Sequence, residues 1–257
     1  MNEGKWWTAT WNPVTGCSPV SSGCDHCWAR SMAKRFRGPD GFKVKFHSNH
    51  IHDPFYLKKP HQFFVCNMGD LFYDEVPENF INTVMSIMFN SKQHTFYLLT
   101  KRPERMAEYM KNVRGEDRVI ENLWLGTSVE DQKTADKRIP ILLSIPGFKK
   151  FVSVEPMLGP VNVKRWLRDP ECTCYEIIGG HQQGCYYYNH STFPPLLDWI
   201  ICGAETGPGA RPMNLDWART IRDQCRFASV PFFFKSVGPK IEIPSDLLIR
   251  EYPGDVK

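Results

Sequence analysis

Hydrophobic, β-branched and aromatic residues gather in seven short runs along the chain: "TATW", "FFVCNM", "HTFYLLT", "LWLGTSV", "KFVSVEP", "WIICGA" and "PFFFKSV". Their length and composition suit strands on a pleated, buried surface. Between them lie stretches with apolar residues at helical spacing. "PENFINTVMSIMFN" opens with Pro and Glu, as helices do, and "RPERMAEYMKN" and "NLDWARTIRDQCRFA" follow the same pattern, the last with Asn214 and Asp216 placed to cap its start. Strands alternating with helices predict parallel pairing. The right-handed crossover rule then leaves an open doubly wound sheet or a complete or partial βα barrel, and periodicity does not choose between them.

The residues just past each run are polar: Met68-Gly69-Asp70, Thr100-Lys101-Arg102, Thr127-Ser128 with Glu130, Glu155, Glu205-Thr206 and Lys235-Ser236. In a barrel all these strand ends meet at one rim. Glu155 in "SVEP" and Glu205 in "GAET" follow small or apolar residues, where an unpaired carboxylate is costly unless it meets a ligand or a cation. Both are expected to line a site. Lys101, Arg102 and Lys235 join them as candidates for binding substrate.

One insertion interrupts the alternation, at about 168–198, "RDPECTCYEIIGGHQQGCYYYNHSTFPPLLD". It carries Cys172, Cys174, His181, Cys185 and His190, whose thiols and imidazoles suit zinc or a second cluster. A loop with incidental thiols is the alternative.

Length and composition add bounds. With 257 residues, 42% of them hydrophobic, the chain has enough apolar material for a sizeable core, and residues 1–257 are expected to form one domain. The first residues lack a basic region followed by an apolar run, and no stretch of about 18 apolar residues occurs, so a cytoplasmic protein without a membrane partner is expected. Nine cysteines in an odd, tightly spaced set fit metal or redox chemistry better than a disulfide framework. The net charge of +4 is modest but uneven. Arg30, Lys34, Arg35, Arg37, Lys43, Lys45, Lys58 and Lys59 stand between Trp28 and His61 against only Asp40 and Asp53. This basic, aromatic-interleaved stretch is a candidate nucleic-acid surface, and is equally the composition of a solvated helix and loop.

The most specific feature is "WNPVTGCSPVSSGCDHCWARSMAKRF", which places Cys17, Cys24 and Cys27 in one loop after the first strand. Three readings are open. A structural zinc would need a fourth ligand, from His26 or from His47, His50 and His52 in "HSNHIH". A thiol-disulfide motif lacks its usual strand and helix context. A four-iron cluster held by three cysteines would leave one iron open to a ligand. The loop's position at the rim favours a catalytic location.

A three-cysteine loop after the first strand of a βα barrel resembles the radical S-adenosylmethionine superfamily, although the spacing here is x6 then x2 in place of that superfamily's usual x3 then x2. More closely, "TWNPVTGCSPVSSGCDHCWA", followed in order by "NMGDLF", "LLTKRP", "LGTSVE", "VEPMLGP" and "GAETGPGARPM", resembles the phage-associated three-Cys-motif proteins over nearly the whole chain. The resemblance implies a partial (βα)6-type TIM barrel with an added C-terminal strand. It makes Cys17, Cys24 and Cys27 the ligands of a [4Fe-4S] cluster and S-adenosyl-L-methionine the cofactor. It sets His26 beside the adenine, Met68, Gly69 and Asp70 at the methionyl amine, and Thr127, Ser128 and Glu130 at the ribose or carboxylate, with Glu155 as a further contact. It also implies an electron donor, and a substrate for which nucleic acid is a candidate. A non-catalytic, zinc-containing nucleic-acid-binding protein is the competing expectation.

Overall fold

A computed structural model describes residues 4–113, 120–167, 196–238 and 241–254. The seven apolar runs form the strands of one sheet: β1 (Ala9–Trp11), β4 (Gln62–Val65), β5 (Thr95–Thr100), β6 (Leu123–Val129), β7 (Lys149–Val154), β8 (Trp199–Cys202) and β9 (Phe232–Phe234). They are parallel and lie in chain order, with β1 and β9 at the edges. A doubly wound sheet reverses its strand order at a switch point. This sheet never reverses, so crossovers of one hand send the helices to one face and leave the other concave. The architecture is a parallel half-barrel.

Among the described residues six α-helices accompany it: α1 (Trp28–Arg37), α2 (Asp53–Tyr56), α3 (Glu78–Asn90), α4 (Pro103–Val113), α5 (Gln132–Leu143) and α6 (Leu215–Phe227). The expected cap of α6 forms, with the Asn214 side chain accepting from the Asp216 N–H at 2.9 Å. Asp216 itself turns to Arg219 at 2.9 Å. The sequence pattern conceals α5, because Pro140 lies inside it and proline ordinarily breaks a helix. A capping box between Asp131 and Thr134 starts it, and Ala135, Ile139 and Leu142 bury one stripe. A short antiparallel pair, β2 (Val14–Thr15) with β3 (Lys45–Phe46), leads into the cysteine loop.

Both faces of the sheet are covered, which is why the strands read as nearly continuous apolar runs. On the convex side Val65, Leu98, Leu125, Val152 and Ile200 pack with Met85, Met106, Ile139 and Ile221 from the helices. On the concave side Trp6, Tyr97, Trp124, Phe151, Trp199 and Phe233 form an aromatic floor. Trp6 and Tyr97 meet edge to face with ring centroids 5.5 Å apart. Among the described residues no helix is long and apolar enough to cross a membrane. The Cys/His group of the insertion lies outside the described residues.

Candidate functional site

Along each strand the concave-facing positions change from aromatic to polar. In β6 Trp124 belongs to the floor, and two pairs later Ser128 stands opposite Ser153 of β7. Beyond them Glu155, Glu205 and Lys235 reach the rim, and these residues border a cleft of about 190 Å³ whose other wall is the cysteine loop. Cys17, Cys24 and Cys27 all line it.

The loop is short of regular structure. Gly16 bridges to Gly69, Ser22–Cys24 makes a single 3₁₀ turn, and Cys27 is the N-cap residue of α1. Its conformation is set by three ionic struts from three strand exits. From β5, Arg102 pairs with Asp70 at 3.3 Å and donates to both the carbonyl and the hydroxyl of Ser18 at 3.1 Å. From β6, Glu130 accepts from the Ser21 hydroxyl at 2.8 Å while Lys101 (2.9 Å) and Arg138 of α5 (3.0 Å) neutralise it. From β8, Glu205 takes Arg211 in a two-pronged pair at 2.7 and 2.9 Å, and the same guanidinium donates to the Ser22 carbonyl at 2.7 Å. Arg211 also lies 3.5 Å from Asp25.

Two glycines allow the close approach. A Cβ at Gly23 would meet the Glu130 carboxylate at 2.5 Å, and one at Gly207 would strike the His26 carbonyl at 1.9 Å. The loop after β8 therefore lies directly on the "CDHC" segment, and His26 Nδ1 donates to the Pro208 carbonyl at 3.1 Å.

This geometry divides the expected site residues into two groups. Cys17, Cys24, Cys27, His26, Gly69, Asp70, Ser128, Glu155, Lys101, Arg102, Glu205 and Lys235 all border the cleft. Thr127, Glu130 and Met68 do not. Thr127 and Ser128 are neighbours in a strand, so they point to opposite faces. Thr127 is buried towards the helices and donates to the Thr100 carbonyl at 3.0 Å. Glu130 is fully buried beneath the cysteine loop, and Met68 packs against the cluster of Ala29, Ala33 and Phe42. Asp70 borders the cleft, but its carboxylate is occupied by the Thr100 hydroxyl, Arg102 and the backbone N–H groups of Phe72 and Lys101.

One ion pair faces the cleft without bracing the loop. Lys235 Nζ lies 2.9 Å from Glu155, whose other oxygen accepts from Ser153 at 2.9 Å. His47 and His50 turn to Thr15 and Asp53, and neither borders the cleft. Burial, then Arg37, His50 and Lys45, hold the His47 pKa below the usual imidazole value.

Sequence reasoning missed Ser18, Ser21, Ser22, Arg138, Arg211 and Cys66. Three hydroxyl residues within a three-cysteine loop were the available signal for the first three. Cys66, which reads as core, is buried yet also borders the cleft, and it holds a left-handed backbone with φ 54°.

The electrostatics agree with the division. Burial alone would raise the Glu130 carboxyl, but Lys101 and Arg138 outweigh it and hold its pKa below the ordinary range. Arg211 does the same for Glu205. Cys17 behaves oppositely. Burial, Asp70 and Cys27 push its thiol up to about 12, against a smaller opposing pull from Arg102. A pocket that resists a lone thiolate favours one neutralised by a cation. Among the described residues, no three His, Cys, Asp or Glu side chains are grouped to hold one metal ion. The three thiols border one cleft.

No curated protein and no solved structure matches the chain. A family profile described as "Protein of unknown function (DUF5131)" matches residues 2–246. Its span takes in the cysteine loop, all seven strand exits and the three struts, so the chain belongs to the DUF5131 family.

Proposed function

We propose that this chain is a radical S-adenosylmethionine enzyme built on a partial barrel of TIM type, in which Cys17, Cys24 and Cys27 hold a [4Fe-4S] cluster with one iron open to the cofactor. The observation that carries the reading is the braced three-thiol loop facing a cleft that Ser128, Glu155 and Lys235 also border without bracing it. Cys17, Cys24 and Cys27 would hold such a cluster, which would supply one-electron, reductive cleavage of S-adenosyl-L-methionine with the electron drawn from an external donor.

The chain's own residues bind and orient. The Glu155–Lys235 pair presents one carboxylate and one ammonium to the cleft, able to meet an amine and a carboxylate of opposite charge. Ser128 takes the ribose- or carboxylate-binding role expected for the end of β6, since Thr127 and Glu130 are turned away. The aromatic floor closes the cleft from beneath and excludes water, which protects a reactive intermediate. The struts hold the thiols in place before any metal arrives, so less ordering is needed on binding.

The test is anaerobic reconstitution with iron and sulfide. About four irons per chain are expected, lost on replacing any one of Cys17, Cys24 or Cys27 by Ala, with 5′-deoxyadenosine formed on reduction in the presence of S-adenosylmethionine. A colourless protein that takes up zinc and forms no 5′-deoxyadenosine would overturn the reading in favour of the zinc-containing binding protein.

A further inference from the structure

The chain's net excess of positive charge lies in one segment. Residues 28–61 hold eight lysines and arginines against two acids, a net of +6, while the whole chain holds 32 against 28. The remaining residues thus carry 24 against 26, a net of −2. The fold splits this segment. The Leu57 carbonyl accepts from Gln93 just ahead of β5, so Lys58 and Lys59 lie towards the N-terminal ends of the strands. Helix α1 and Lys43 lie at the rim.

There Arg30 and Lys34, one helical turn apart, face Lys43 across an open groove of about 690 Å³. Cys17, Ser18 and Phe42 border both this groove and the cleft, so the two share a wall. Asp40 pairs with Lys43 at 3.1 Å, and Glu75, which accepts from the Tyr73 hydroxyl at 2.7 Å, is the carboxylate bordering the groove. Helix α1 buries only Ala29 and Ala33, and exposes Met32 and Phe36, also one turn apart. Phe36 is 73% exposed, with the Arg35 guanidinium 5.6 Å from its ring.

We infer that this groove and the outer face of α1 bind single-stranded nucleic acid and lead it to the cleft beside Cys17. Cations along a groove follow a phosphate backbone, and Phe36, on the side of α1 away from the groove, offers its ring to an unpaired base where the strand passes over the helix. A duplex offers no free base face to Phe36, and the cleft has room for one small group. That this strand is the substrate rests on the enzymatic reading above. Its binding does not.

The test is fluorescence anisotropy of the full chain, metal-free and reconstituted, with labelled 12-mers of single-stranded DNA, single-stranded RNA and duplex across a salt series. Binding of a single strand in preference to duplex is expected in both protein forms, and the two single-stranded arms identify the sugar. Replacing Arg30, Lys34 and Lys43 together by Gln should flatten the log–log salt slope by about 2, at about 0.7 per phosphate contact. Phe36→Ala should weaken binding about 5- to 100-fold at unchanged slope. Circular dichroism checks that these surface variants stay folded. Duplex preference, slopes equal to wild type in the triple variant, or no binding at 100-fold excess would overturn the inference. Loss of binding alongside intact cofactor cleavage sinks only this inference, whereas binding without cleavage sinks only the enzymatic reading.

Discussion

The Ser21 hydroxyl donates to the Glu130 carboxylate at 2.8 Å, tying the middle of the cysteine loop to a strand exit 109 residues further on. Glu130 is fully buried and already holds Lys101 and Arg138, so the serine docks onto a preformed ionic site. Arg102 at Ser18 and Arg211 at Ser22 repeat the device. Three strand exits thus fix a loop that has little regular structure of its own.

Glu130→Gln keeps the shape and removes the charge, leaving Lys101 and Arg138 without their buried partner. A loss of about 3–5 kcal/mol is expected, read by denaturant unfolding. The sign of the pH dependence follows from the lowered folded pKa: the stabilisation is complete above the ordinary value of 4.5 and fades as pH falls through the lower folded value. The gap between variant and wild type should therefore narrow in acid. A gap independent of pH between 3 and 7 would show that charge is not the cause.

Arg211→Ala removes the brace at Ser22 and leaves the Glu205 carboxylate unpaired, an expected cost of about 1–3 kcal/mol. Cys24 should then react faster with a thiol reagent in metal-free protein, measured by mass spectrometry of its peptide. Arg211→Lys should rescue little, because a single ammonium cannot span both carboxylate oxygens and the Ser22 carbonyl.

Gly207→Ala places a methyl group where the His26 carbonyl now lies, and both partners are backbone. The two loops must part. Iron loading should fall well below that of wild type, with a stability loss of about 1–3 kcal/mol. Full loading at wild-type stability would mean that the contact between the loops is dispensable.

Lys235→Met breaks the one pair that faces the cleft without bracing the loop. The side chains of Lys235 and Glu155 are only 25% and 14% exposed, so the variant leaves a largely buried carboxylate without its partner, and a stability loss of about 1–3 kcal/mol is expected. Iron content should stay at the wild-type level while the affinity for S-adenosylmethionine falls, measured by equilibrium dialysis. Unchanged affinity would remove Lys235 and Glu155 from cofactor recognition.

The seven strands, three of the helices and the cysteine loop were legible in the sequence because each depends on local spacing. Apolar runs of strand length, helical periodicity and the grouping of three thiols are properties of neighbours in the chain. Strand parity would have separated Thr127 from Ser128, both of which were set at the cofactor, since neighbours in a strand cannot face one side. The partner of each rim charge was not legible. Arg211 lies 6 residues from Glu205 but 189 from Ser22, and whether Glu130 meets solvent, ligand or loop depends on which strands are adjacent and how far the barrel has closed. Polar residues at strand ends look alike in sequence. Only the tertiary structure separated Glu130 and Arg102, which hold the thiols in place, from Glu155 and Lys235, which face the cleft, because a buried charge takes its role from whatever neutralises it across space.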